Sequence, residues 1–150
     1  IAELQAPRER EGAALAQMLL SRVDAIGEQT RALRAHLPEL EEAVRNRLQA
    51  RLADLAIQVD PQRWEQEILF YLQRQDTAEE LDRLDTHLQE LRRILTRREA
   101  VGRRLDFLMQ ELNREANTLA SKAADSQVTF ASVELKVLIE QMREQVQNVE

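Results

Sequence analysis

Leucine, isoleucine and valine recur along the first third of the chain at spacings of mostly three and four. The residues are Leu15, Leu19, Val23, Ile26, Leu33, Leu37, Leu40, Val44, Leu48, Leu52 and Leu55. That period places a single apolar seam along one helix. Read as one element from about residue 8 to residue 57, the helix would extend roughly 75 Å. Pro38 falls inside the seam, and because the apolar phase survives it, the pattern predicts a kink there and no break.

Punctuation and phase then divide the rest of the chain into four shorter helices. Asp60-Pro61 supplies an N-cap followed by a proline at the first helical position, opening a helix with Trp64, Ile68, Leu69, Tyr71 and Leu72 as its apolar residues. Thr77 to Glu80 (TAEE) reads as a capping box ahead of a Leu81, Leu84, Leu88, Leu91, Leu95 seam. Past Gly102 a fourth seam runs through Leu105, Leu108, Leu112, Ala116 and Leu119. Asp125 or Ser126 caps a fifth helix, with Val133, Leu138, Met142, Val146 and Val149 expected inward. No strand pattern, strict repeat or low-complexity linker interrupts this series. The expectation is an all-α fold: a long helix over 1–58, kinked at Pro38, plus an antiparallel helical bundle of coiled-coil hairpins over 60–150, together one helical domain.

Composition narrows the core and the chemistry. The 150 residues include three Gly, three Pro, no Cys and five aromatic side chains. A core built mainly from Leu, Ile, Val and Ala favours packed helix layers over a sandwich or an α/β sheet. Without Cys there are no disulfides, thiolate nucleophiles or zinc–thiolate sites. A cytoplasmic setting is consistent with this, with the lack of any apolar run approaching the ~20 residues of a membrane span and with the lack of a signal-peptide pattern. The start at Ile1 reads as that of a fragment or processed product. The net charge of −6 argues against a generic nucleic-acid binder. Charge is unevenly placed, however: Arg92 to Arg104 holds six Arg and one Glu, whereas Asp125 to Glu150 holds five acids and two bases.

The polar residues beside two of the seams are candidates for chemistry. On the third helix Asp76, Glu80, Arg83 and His87 fall within about a 60° arc on one flank. On the fourth, Glu111 and Glu115 form an i,i+4 pair accompanied by Arg104 and Lys122. A neighbouring face of that helix carries Arg103, Asp106, Gln110, Arg114, Asn117 and Ser121. If the two helices pack together, carboxylates, an imidazole and arginines meet at their edge. Such a set suits a hard divalent ion such as Mg²⁺ or Mn²⁺, with arginines neutralising phosphate charge. Glu80 and His87 lie about 10 Å apart along the axis, so gripping one ion needs a ligand from another helix.

Ordinary explanations compete for each of these residues. Glu and Arg four apart are commonly solvent-facing ion pairs, and a single histidine beside a seam is commonly structural. The arginine run suits a solvated face near a helix C-terminus. Trp64, Phe70 and Tyr71 are read as core and not as a base-stacking platform. Asp60 and Thr77 need no role beyond capping. Other schemes fit less well: the glycines are too scattered for a phosphate loop, no nucleophile elbow occurs, and a two-histidine mechanism would require His36 to meet His87.

Four motifs carry a resemblance to a known family. They are Asp76 to Leu84 (DTAEELDRL) followed by His87; Gly102 to Phe107 (GRRLDF); Gln110 to Thr118 (QELNREANT) with Ser121 and Lys122; and Val133 to Lys136 (VELK) with Arg143 to Glu150 (REQVQNVE). With these the chain resembles the C-terminal helical part of the YicC/YloC family of bacterial proteins. The first helix resembles it more loosely, including the turn at His36-Leu-Pro38. The resemblance implies a divalent-metal-dependent endoribonuclease that assembles as a hexamer, with a further N-terminal domain absent here. It puts Asp76, Glu80, Arg83, His87, Arg103, Asp106, Gln110, Glu111, Arg114, Glu115, Asn117 and Lys122 at issue.

Residues and resemblance together give the leading expectation, hydrolysis of single-stranded RNA with Mn²⁺ or Mg²⁺. Catalysis falls to Glu80, His87, Glu111 and Glu115, and metal binding to Asp76, Glu80, His87, Asp106, Glu111 and Glu115. RNA contacts fall to Arg83, Arg103, Arg104, Arg114, Asn117 and Lys122. The alternative is a helical assembly or adaptor module, whose long first helix pairs copies of the chain and whose polar faces bind RNA or protein without catalysis. A third reading is a regulator that delivers RNA to another nuclease.

Overall fold

The computed structural model describes residues 2–55, 60–74, 76–97, 102–123 and 125–149. These form five helices and, among the described residues, no strand: α1 (Ala2–Leu55), α2 (Pro61–Arg74), α3 (Ala78–Arg97), α4 (Gly102–Lys122) and α5 (Ser126–Val149). The all-α expectation holds. Helix α1 runs uninterrupted through Pro38.

Helices α1, α3, α4 and α5 close into a ring, each packed on the next, with α5 returning to α1. Cross-helix bonds give the directions. Arg34 reaches Asp82 and Asp85 while Arg92 reaches Asp24, so α3 runs antiparallel to α1. Glu80 meets Lys122 and Glu115 meets Arg83, so α4 reverses again. The result is an up-down bundle filled by Leu19, Val23 and Ile26 of α1, the five predicted leucines of α3, the complete predicted seam of α4, and Leu135, Ile139 and Met142 of α5. Helix α2 packs on α1 alone among these strong contacts. It is held there by buried Ile68 and an Arg45–Glu65 ion pair of 2.7 Å.

One gap in the α1 seam has a polar occupant. Between Ile26 and Leu33, the seam position belongs to Thr30, which is fully enclosed and donates its hydroxyl to the Ile26 carbonyl at 2.9 Å. Ser132 of α5 does the same to the Val128 carbonyl at 2.8 Å. A hydroxyl that bonds its own helix four residues back can be buried without an unmet donor.

Several local expectations change. The cap ahead of α3 is shared differently from a capping box. Asp76 accepts the Ala78 N–H at 2.9 Å, the Thr77 carbonyl accepts from Leu81 at 3.0 Å, and Glu80 turns to Lys122 and Arg83. On α5 the inward set is Val128, Ala131, Leu135, Ile139, Met142 and Val146, whereas Val133 is 53% exposed. The side chain of Val149 lies outside the described residues. Phe70 is also an exposed residue and not core, while Trp64 and Tyr71 are half-buried. In each case the neighbouring helix, and not the residue's own hydropathy, sets the phase.

Asp60 caps α2 as expected, accepting from the Gln62 N–H at 3.1 Å. Asp125 caps α5 through the Val128 N–H at 2.9 Å, and its second oxygen lies 2.8 Å from His36 Nε2 of α1. Burial works to raise the Asp125 pKa, but the Val128 N–H and His36 outweigh it and hold the carboxyl below the usual range. Depression of the folded value means this stabilisation is present above the unfolded Asp pKa of about 3.9 and fades as pH falls through the folded value. Asp125→Asn keeps a capping acceptor while removing the charge. Wild type is expected to exceed it by ~1 kcal/mol near neutral pH, with the gap closing on acidification below about pH 4. Paired thermal melts at neutral and acidic pH check this; a gap independent of pH would contradict it.

Candidate active site in the groove between α3 and α4

The antiparallel packing of α3 on α4 turns two separate sequence patterns into one ladder. Glu80 faces Lys122, Arg83 faces Glu115, His87 faces Glu111, and Glu90 faces Arg104. The α3 members step by three, four and three residues, which keeps them on one flank of the leucine seam. The α4 members occupy the matching flank, so neither helix could present the whole set alone.

At the centre, His87, Glu111 and Glu115 each offer a ligand atom, and these atoms all lie within 4.8 Å of one another. His87 Nε2 is 4.0 Å from Glu111 Oε2. His87 and Glu111 are half-buried, whereas Glu115 is only 4% exposed. Adjacent ligand atoms on a small hard dication sit about 3 Å apart. Side-chain rotation at the partly exposed Glu111 and His87 can close the remaining distance. One imidazole and two carboxylates is also the donor chemistry that Mg²⁺ or Mn²⁺ accepts, so the residues present fit such an ion.

Around this centre the charges are shared. Arg83 donates from Nε to Glu115 at 3.0 Å, from Nη1 to Glu79 at 2.6 Å and from Nη2 to Glu80 at 3.3 Å. The Glu115 hydrogen bond leads the causes that raise the Arg83 pKa, with the Glu79 bond adding to it against desolvation. Lys122 Nζ donates to Glu80 at 2.7 Å and to the Asp76 carbonyl at 3.3 Å. At the opposite end Glu90 accepts from Arg93 at 2.6 Å and also from Arg104. Arg93 leads the causes that hold the Glu90 carboxyl below its ordinary range, desolvation opposing. The groove therefore has ion pairs toward both ends, Lys122 and Arg83 with Glu79 and Glu80 at one and Arg93 and Arg104 with Glu90 at the other, and carboxylates with an imidazole between them.

Of the residues expected at a metal, His87, Glu111 and Glu115 offer ligand atoms within 4.8 Å of one another, and the other three meet other partners. Asp76 caps α3, Glu80 is 1% exposed and tied to Lys122, and Asp106 accepts from Gln110 at 3.1 Å. Of the residues expected at RNA, Arg83 and Lys122 sit at one end of the ladder and Arg104 at the other. Arg114 is largely exposed, 3.8 Å from Glu111, and Arg103 and Asn117 face outward. Glu79 and Glu90 escaped the sequence reading. Glu90 was findable, since it continues the Glu80, Arg83, His87 spacing by one more step of three.

Fold and groove together define a helical domain with a carboxylate–histidine centre between ion-paired ends. The chain belongs to the family described as endoribonuclease YicC-like, C-terminal, whose model matches residues 13–150. It is 52% identical over 145 residues to a protein of Haemophilus influenzae named "Probable endoribonuclease YicC", covering 97% of this chain and 50% of that protein. A protein of the same name from Clostridioides difficile is 32% identical over 151 residues, covering 99% of this chain and 52% of that one. The chain thus spans about half the length of the curated relatives it matches. Among the described residues, no helix is long and apolar enough to cross a membrane.

Proposed function

We propose that this chain carries the RNA-cleaving centre of a divalent-metal-dependent endoribonuclease, housed between α3 and α4. The convergence of His87, Glu111 and Glu115 within 4.8 Å, flanked by paired arginines, is the observation that supports it. These three residues would hold Mg²⁺ or Mn²⁺, which when bound polarises a phosphodiester and lowers the pKa of a coordinated water. Asp76, Glu80 and Asp106 are left to structural roles.

The chain's own residues would bind and orient the strand. Arg114, exposed beside the centre, offers a planar donor fork to phosphate oxygens. Arg103 and Arg104 extend that contact at one end of α4, and Arg83, Lys122 and Asn117 at the other. From Arg104 to Lys122 is about 27 Å along the helix, room for several nucleotides of one strand. Acids at the centre disfavour phosphate there until a cation offsets them, so substrate and ion would be taken up together. The net charge of −6 places affinity in this local arrangement and not in the protein's overall field.

The expected result of metal removal tests the reading. End-labelled single-stranded RNA is cleaved by the chain with Mn²⁺, is left intact with chelator, and is cleaved again when Mn²⁺ is restored. Cleavage indifferent to chelator would refute the metal part. RNA binding without cleavage under either condition would favour the second reading, a non-catalytic assembly or adaptor module. That reading has its own support in α5, where Phe130, Val133 and Val137 make an apolar stripe at helical spacing and Phe130 is 73% exposed. Such a stripe suits a partner surface, and the two readings are compatible in a homo-oligomer, for which the family resemblance suggests a hexamer.

A further inference from the structure

We infer that Arg83 is an exchangeable counter-ion of Glu115, occupying this carboxylate in the metal-free chain and moving onto Glu80 when a divalent cation is taken up. The inference rests on the metal-site reading above and adds a competition that the reading alone does not contain.

Glu115 is almost wholly enclosed, and a carboxylate so placed needs an opposite charge at hydrogen-bond distance. Arg83 Nε supplies it at 3.0 Å. Yet Glu115 is also one of the three side chains whose ligand atoms cluster at the centre of the groove. A guanidinium and a dication on one carboxylate repel each other at short range, so the two cations compete.

The two partners differ in freedom. Glu115 is packed in, while the Arg83 side chain is 42% exposed and can swing along the groove. Arg83 is also not cast adrift by leaving, since Glu79 and Glu80 hold its terminal nitrogens. Glu80 has capacity to spare. Its Oε1 takes Lys122 and a long bond from Arg83, but its Oε2 is buried with no hydrogen-bond partner among the described residues. A buried carboxylate oxygen left unpaired is costly. A shift of the guanidinium from Glu115 toward Glu80 would meet that oxygen and clear Glu115 in one movement. No covalent step or proton transfer is involved.

The experiment is calorimetric titration of Mn²⁺ into the 150-residue chain, its Arg83→Gln variant and, as a control, Arg114→Gln, with helix content checked by circular dichroism. Arg114 is a second arginine beside the same centre, 3.8 Å from Glu111 but largely exposed. Exchange predicts that Arg83→Gln binds Mn²⁺ about three- to tenfold more tightly than wild type, with less than about a twofold change for Arg114→Gln. In the first case a hydrogen-bonded competitor has been removed from an enclosed ligand, and in the second only a solvent-screened charge 3.8 Å from Glu111 that makes no hydrogen bond to it. Unchanged or weaker binding by Arg83→Gln overturns the inference, as does an equal gain in both variants, which would be a general charge effect. A second readout needs no variant. In wild type titrated with Mg²⁺, the Arg83 Nε–H resonance should move in step with site occupancy, and a resonance that stays in place while the site fills also overturns the exchange. Mn²⁺ binding by Arg83→Gln but not by wild type would be its strongest form. Binding by neither would bring down the metal-site reading, and the exchange with it.

Discussion

On the proposed reading, Glu115→Gln is expected to lower metal-dependent RNA cleavage by about a hundredfold or more, because changes behind a metal ligand alone commonly cost about 10–100-fold and this one would remove the charge of a proposed ligand. The substitution preserves shape in an enclosed position and leaves Arg83 with two carboxylates, Glu79 and Glu80. Helix content should therefore persist. The assay is cleavage of end-labelled single-stranded RNA with Mn²⁺, beside circular dichroism of the same samples. A variant that remains folded and cleaves within about twofold of wild type would remove Glu115 from the mechanism. A parallel loss in Glu111→Gln, with no further loss in the double variant, would show that the two carboxylates work as a unit, as their places one turn apart on the same flank of α4 suggest.

Leu112→Ala is expected to give the largest loss of stability of the substitutions considered. Leu112 is fully enclosed in the bundle core, on the stretch of α4 between the two site carboxylates. Truncating a buried leucine costs about 2–5 kcal/mol through lost transfer energy and the cavity left behind. Against a total of about 5–15 kcal/mol for an ordinary domain, that is a large fraction. Urea unfolding should show a lower midpoint with an unchanged slope. A shift below ~0.5 kcal/mol would mean that the core around α4 collapses to fill the space, contrary to the close packing of its seam. Cleavage should fall with the folded population, since the seam holds Glu111 and Glu115 in line with His87.

The existence of the helices was legible in the sequence because the signals are local and repeated. The seams of α3 and α4 came out complete, and Asp60 and Asp125 both cap as their chemistry predicts. What failed was phase or reach where a neighbour decides. Hydropathy predicts Val133 inward, but α5 must face α1 and α4 together, and that choice of face leaves Val133 outside. Phe70 is expected in the core, but α2 packs on α1 through Ile68, and two residues on, about 200° around the helix, Phe70 is exposed. Thr30 lies outside the apolar pattern, yet a hydroxyl that satisfies itself on the Ile26 carbonyl can occupy a core position. The same divide runs through the groove. The residue types and their flanks follow from a 3.6-residue period, so Glu80, Arg83, His87, Glu111 and Glu115 could all be named in advance. Which of them meet depends on the relative register of α3 and α4, a quantity that neither helix encodes alone. That register puts His87 beside Glu111 and Glu115 and gives Glu80 to Lys122. Local spacing determines which residues share a face of one helix; only tertiary packing brings two such faces together, because the side chains at their meeting edge are far apart in the chain.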